Sequence, residues 1–178
     1  MADATSLTRG EILKLFELLN TELEAAGASA ELYLVGGAVM CLALGARDAT
    51  RDVDALFVPA KVVREAAARV AATAGVSDDW LNDAVKGYLS PFGDFDPFLE
   101  RSHLSVFIAQ PAYLLAMKCM AMRLGEEFHD LDDVRYLLRY LNITSAEAAF
   151  AVVAKYFDES ALPLKTQLAL YQVFDKQG

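Results

Sequence analysis

The chain has 178 residues, 55% of them hydrophobic and 23% charged, which is the size of one domain or of one compact domain with a helical extension, and too apolar to stay unfolded. Sixteen Lys and Arg against 25 Asp and Glu leave a net charge of −9, the wrong sign for gripping nucleic acid over a broad face, so any RNA contact has to be local. Mean hydropathy is +0.27, yet the longest uncharged apolar run, residues 32–46, falls short of the roughly 20 residues of a membrane span and carries Gly36 and Gly37 near its middle. Met1-Ala2-Asp3 opens no basic region leading into an apolar stretch, and the expectation is a cytoplasmic protein without a membrane partner.

The first predicted element is a helix opened by a capping box, Thr8 with Glu11, whose apolar stripe runs Ile12, Leu15, Phe16, Leu19, Leu23 until Gly27. A strand over 32–35 follows, ended by Gly36 and Gly37, then a small helix over 38–44 and a turn through 45–50. Residues 52–58 read as a second strand, closed by Pro59, and 61–73 as an Ala-rich helix stopped by Gly75. Residues 78–88 look helical, and 90–100, with Pro91, Gly93 and Pro97, read as an irregular surface loop. A strand over 104–109 precedes a helix that Pro111 opens and that runs to about Leu124. Helices over 130–141, from a Thr144–Glu147 capping box to about Tyr156, and over 164–175 complete the chain. The expected fold class is α+β: a small mixed sheet with helices over residues 1–110 and a helical part over 111–178, together one compact unit.

Cys41 and Cys119 sit in apolar surroundings and form no zinc pattern with His103 and His129, so both read as buried thiols. Trp80 reads as a packing anchor, and the pairs Tyr136 with Tyr140 and Tyr171 with Phe174 as core or helix-docking residues.

Chemistry concentrates between Leu34 and Phe57, where a Gly-Gly turn after one strand is joined to an acidic pair at the start of the next. Residues two apart in a strand share a face, so Asp52 and Asp54 project together about 6.6 Å apart along the backbone. Their mutual repulsion is relieved by a divalent cation, and oxygen-only ligands favour Mg²⁺ or Mn²⁺. Without Cβ atoms, Gly36 and Gly37 let the backbone approach a triphosphate. A tight turn and a solvated acidic strand end would leave the same pattern.

Lys118 is the one Lys or Arg between Ser102 and Met122, on an apolar helix, and needs an anionic partner or a route to solvent. A nucleotide phosphate would serve, with the free protein then holding Lys118 solvated in a cleft, and so would a nearby aspartate. Asp130 and Asp133 are one helical turn apart, at a helix start where acids are favoured for dipole reasons alone. Arg123 could hold a phosphate or pair with Glu126 or Glu127.

The Gly36-Gly37 turn followed by Asp52-Val53-Asp54 resembles the first motif of the DNA polymerase β-like nucleotidyltransferase superfamily. The wording Thr50-Arg51-Asp52-Val53-Asp54, the segment Trp80-Leu81-Asn82-Asp83 and the later pattern of Lys118, Arg123, Asp130 and Asp133 resemble a small prokaryotic branch related to the abortive-infection-type toxins of toxin–antitoxin systems. The resemblance spans roughly residues 30–140. It implies a metal-dependent transfer of a nucleoside monophosphate from an NTP to an acceptor hydroxyl, on RNA (a tRNA 3′ end above all) or on protein, with an antitoxin as partner. It further implies Asp52 and Asp54 as ligands of Mg²⁺ or Mn²⁺, Lys118 as a catalytic residue, and Gly36, Gly37, Thr50, Arg51, Asp130 and Asp133 at the nucleotide. The superfamily's third carboxylate has no counterpart on strand 104–109; Asp94 and Asp96, upstream in the irregular loop, are either substitutes for it or solvated turn residues. A non-catalytic nucleotide-binding module is the alternative this gap leaves.

Overall fold

The computed structural model describes residues 6–126 and 128–176. They are mixed α and β, with the C-terminal part helical as expected. They divide into two compact units: residues up to Gly87 with Phe95–Ala109, and Tyr88–Asp94 with the residues from Gln110 onward. The segment Tyr88–Asp94 joins the helical unit because its polar groups are satisfied there. The Ser90 N–H donates to the Tyr113 hydroxyl at 3.0 Å, and the Tyr156 hydroxyl donates to Asp94 Oδ2 at 3.0 Å.

The first unit begins with β1 (Leu7–Thr8) and α1 (Arg9–Ala25), followed by β2 (Ala30–Val35), α2 (Gly37–Leu42), β3 (Ala49–Thr50), β4 (Val53–Val58) and α3 (Ala60–Ala74). After these come β5 (Leu81–Asn82), a 3₁₀ turn over Ala84–Tyr88 whose last residue falls in the second unit, then β6 (Phe95–Glu100) and β7 (Leu104–Ala109). The expected capping box is present, the Thr8 hydroxyl accepting from the Glu11 amide while Glu11 accepts from the Thr8 amide. The predicted stripe Ile12, Leu15, Phe16, Leu19, Leu23 is the buried face of α1, and Gly75 ends α3 in a left-handed conformation that suits a residue without Cβ.

A five-stranded mixed sheet has the order β5-β4-β2-β7-β6. The central strand β2 runs antiparallel to β4 and parallel to β7. Cross-strand neighbours share a face, so Leu32, Phe57 and Val106 lie on one side and Tyr33, Leu56 and Phe107 on the other. The first side, with the α1 stripe and Val63, Ala66 and Val70 of α3, makes the core of this unit. Trp80 is the packing anchor expected, 1% exposed, its indole N–H donating to Ala67 O at 3.0 Å.

Two expectations fail here. Residues 78–88 are not one helix: only Ala84–Tyr88 coils, as a 3₁₀ turn, because Leu81 and Asn82 pair in parallel with Val53 and Asp54 and the Trp80 carbonyl accepts from the Val53 amide; ladder bonding overrides a weak helical pattern. Nor is 90–100 all loop: Phe95–Glu100 is the edge strand β6, where Pro97 is tolerated because the register slips between Pro97 and Leu99 and an edge position needs no donor on its outer side.

The second unit carries α4 (Pro111–Met120), α5 (Asp130–Tyr140), α6 (Ala146–Ala154) and α7 (Leu164–Asp175). Helix α4 is the hub: Tyr113, Leu114, Leu115, Ala116 and Cys119 have no exposed surface. It stops at Met120 rather than Leu124. The cap of α6 is Ser145, whose hydroxyl accepts from the Ala148 amide, in place of Thr144. Both cysteines are free and buried, and burial pushes the Cys119 thiol up to about 12. Tyr140 is 53% exposed and Tyr171 42%, so neither is a core residue; Tyr171 is a helix-docking residue, its ring edge-on to Phe150 of α6 at 5.5 Å.

Among the described residues, no helix is long and apolar enough to cross a membrane.

Candidate functional site

In the first unit the sheet brings the Gly-Gly turn and the acidic pair together. β2 and β4 are antiparallel with Val35 opposite Asp54, so the chain leaving β2 at Gly36 passes the Asp54 side chain. Gly36 has φ 70° and ψ −149°, a region open to glycine and closed to other residues. A Cβ at Gly36 would stand 3.2 Å from Asp54 Oδ2. The second glycine meets different groups: a Cβ at Gly37 would stand 2.9 Å from Arg47 Nη1 and 2.9 Å from Thr50 Oγ1. The two consecutive glycines thus let a carboxylate pack close to the backbone at one residue, and a guanidinium and a hydroxyl at the next.

Asp52 lies just before β4 rather than in it. Its carboxylate is held by Asn82, whose Nδ2 donates to Asp52 Oδ2 at 3.2 Å. Asn82 is also the register partner of Asp54, so the two carboxylates lie on one side of the sheet, as the spacing predicts, through a side chain from a third strand. Thr50 is 8% exposed and donates to the Asp52 carbonyl at 3.3 Å, while β3 pairs Thr50 with Leu7 and ties the approach to the acids onto the start of α1. Arg51 is exposed in the bend that follows. Asn82 and Arg47 are the residues that reading the sequence missed as site groups: Arg47 carries no motif of its own, and Asn82 was visible only within a resembling segment.

Neither upstream acid completes the pair. Asp94 accepts from the Tyr156 hydroxyl in the second unit. Asp96 is on β6 opposite Ile108, which stands opposite Leu34 and through it Ala55, so Asp96 falls on the face away from Asp54. Among the described residues, no three His, Cys, Asp or Glu side chains gather into a group able to hold a metal ion. Two carboxylates nonetheless suit Mg²⁺ when phosphate oxygens and water supply the other ligands, which is how this ion is commonly held.

Lys118, Asp130 and Asp133 lie in the second unit and meet one another. Lys118 Nζ is 2.7 Å from Asp133 Oδ2 and 3.5 Å from Asp130 Oδ1, and the lysine side chain is only 11% exposed. The expectation of a solvated lysine is therefore corrected: burial on the α4 hub forces an internal counter-charge, and the first turn of α5 supplies two. Arg123 donates from Nε to Asp130 Oδ2 at 2.8 Å and from its backbone N–H to the same oxygen at 3.0 Å, so Asp130 is a partner of this residue; Glu127 lies outside the described residues. Burial pushes the Asp130 carboxyl up, but the Arg123 hydrogen bonds and the Lys118 and Arg123 charges outweigh it and hold the group below the usual range.

Compared with protein-family models, curated proteins and solved structures, the chain matches none.

Proposed function

We propose that the chain is a metal-dependent nucleotidyltransferase, moving a nucleoside monophosphate from an NTP to a hydroxyl of RNA or protein, as the toxin-like member of a cytoplasmic toxin–antitoxin pair. The observation that carries this reading is the Gly-Gly turn set beside the carboxylate pair, with Asp54 Oδ2 3.2 Å from where a Cβ on Gly36 would stand and Asp54 opposite Val35 in the sheet. Asp52 and Asp54 would hold Mg²⁺ or Mn²⁺, which when bound neutralises phosphate charge and stabilises in-line displacement. Asn82 fixes Asp52, and Thr50 fixes the loop that delivers it. In the transfer, the acceptor oxygen bonds to the α-phosphorus, the bond from that phosphorus to the bridging oxygen breaks, and pyrophosphate leaves with the electron pair while the acceptor proton passes to water. The backbone at Gly36 and Gly37 lies alongside the phosphates, and Arg51, exposed nearby, supplies a further cation. Incubation with each α-labelled NTP, Mg²⁺ and total cellular RNA or protein tests the reading: label on a macromolecule, lost in Asp52→Asn/Asp54→Asn, supports it, and no NTP binding by the wild-type chain overturns it.

The second reading, a nucleotide-binding module without catalysis, is favoured by one observation, that Asp94 is bonded to Tyr156 and Asp96 lies on the other sheet face. NTP binding without transfer for all four nucleotides supports it.

A further inference from the structure

We infer that Arg64 of α3 is a positioning residue of the acidic site: by clamping Asp83 it fixes β5, and with it the Asn82 side chain that holds Asp52. The inference rests on the function proposed above and adds to it a group that lies outside the site and acts on it through the backbone.

β5 needs outside support. It is a two-residue strand at the sheet edge, joined to β4 by the register pairs Leu81 with Val53 and Asn82 with Asp54, too short a ladder to hold its own place. α3 grips it on either side of those residues. Before them the Trp80 indole donates to Ala67 O at 3.0 Å, and after them Arg64 Nη2 donates to Asp83 Oδ2 at 2.8 Å. Arg64 and Ala67 are neighbours one turn apart on α3, so helix and strand are joined at two matched points with Asn82 between them.

Asn82 then has one usable orientation. The Ala84 amide can only donate and meets Asn82 Oδ1 at 3.3 Å, while the Asp52 carboxylate accepts and meets Nδ2 at 3.2 Å. Ala84 follows Asp83 directly, so the clamp on Asp83 places the backbone N–H that turns the Asn82 amide toward Asp52. The Arg64 side chain is 55% exposed, and an exposed ion pair contributes little to stability, so the consequence of this one is read at Asn82 rather than in the melting curve.

Three measurements on the full chain test this in wild type, Arg64→Ala and Arg69→Ala: the NMR signal of the Asn82 side-chain amide in the free protein, thermal unfolding, and calorimetric titration with Mg²⁺–NTP. Arg69 is the matched control, bonded from the same helix to Glu22 of α1 at 2.8 Å and 48% exposed. Both variants are expected to melt close to wild type. Arg64→Ala alone should shift and broaden the Asn82 signal and weaken Mg²⁺–NTP binding roughly three- to tenfold, no more than removal of Asn82 itself. In an Asn82→Ala background the Arg64→Ala change should cost no further affinity, because it acts through that side chain. Should Arg64→Ala fail to fold, Asp83→Asn, which keeps the side chain's shape and removes its charge, reads the same signals with the same losses expected. An unchanged Asn82 signal, equal affinity in wild type and variant, an equal loss in Arg69→Ala, or an undiminished loss in the Asn82→Ala background overturns the inference while leaving the proposed function standing. A wild-type chain that binds no Mg²⁺–NTP overturns both.

Discussion

Lys118 Nζ lies 2.7 Å from Asp133 Oδ2 in the second unit, with Asp130 Oδ1 at 3.5 Å, and all three side chains are at most 11% exposed. A cation in that position serves its own acids first. Lys118→Met is therefore expected to strand a buried carboxylate and cost about 3 to 5 kcal/mol of stability. Removing both partners, as in Lys118→Met/Asp133→Leu, should cost less than the single change. Denaturant unfolding of the two variants measures the difference, and a single variant as stable as wild type would count against the pairing.

Asp130 sets an acid limit on that network. Its folded-state carboxyl is held below the usual aspartate value, against the upward push of burial, by the Arg123 hydrogen bonds and the Lys118 and Arg123 charges. A lowered carboxyl contributes stability that is fully present above its unfolded value, near 3.8, and lost as pH falls through the lower folded one. Stability should thus decline below about pH 4 through this group, and Asp130→Asn should be less stable than wild type at neutral pH with a shallower acid decline. Urea midpoints from pH 7 to pH 2 check both.

Gly36→Ala is expected to be costly for two reasons at one atom. Its φ of 70° with ψ −149° is strained for any residue with a Cβ, at about 1 to 3 kcal/mol, and the added methyl would press on Asp54 Oδ2 at 3.2 Å. Mg²⁺–NTP binding should fall further than stability does, since the methyl fills the approach to the acidic pair. Thermal melting and calorimetry on this variant, compared with Gly10→Ala on α1, where nothing lies within 4 Å, separate the two effects.

Asn82 positions Asp52 through its 3.2 Å hydrogen bond. Asn82→Ala should leave the fold nearly as stable, at a cost of about 1 kcal/mol, and weaken Mg²⁺–NTP binding about tenfold because Asp52 loses its orientation. Asn82→Asp loses the same donor but sets a further carboxylate beside Asp52, which Mg²⁺ favours, so it should weaken Mg²⁺–NTP binding less than Asn82→Ala does. Titrations with Mg²⁺–NTP on both variants give the order.

Local pattern in the sequence determined the α+β class, the α1 stripe and its capping box, the left-handed stop at Gly75, the strands β2, β4 and β7, and the pairing of a Gly-Gly turn with two acids. These follow from periodicity and end chemistry among residues a few positions apart, which the chain carries whatever its fold. Residues 78–88 and 90–100 defeated the same reasoning because their state depends on ladder partners elsewhere: Leu81 on Val53, and Phe95 on Ala109. The tertiary structure alone decided which face Asp96 takes, that Asn82 reaches Asp52 across 30 residues, that Arg47 stands over Gly37, and that Lys118 closes on Asp133. Strand register and burial set these contacts. Both arise only when distant segments come together, since a buried lysine takes the nearest available carboxylate and a sheet row takes whatever side chains its registration brings into line.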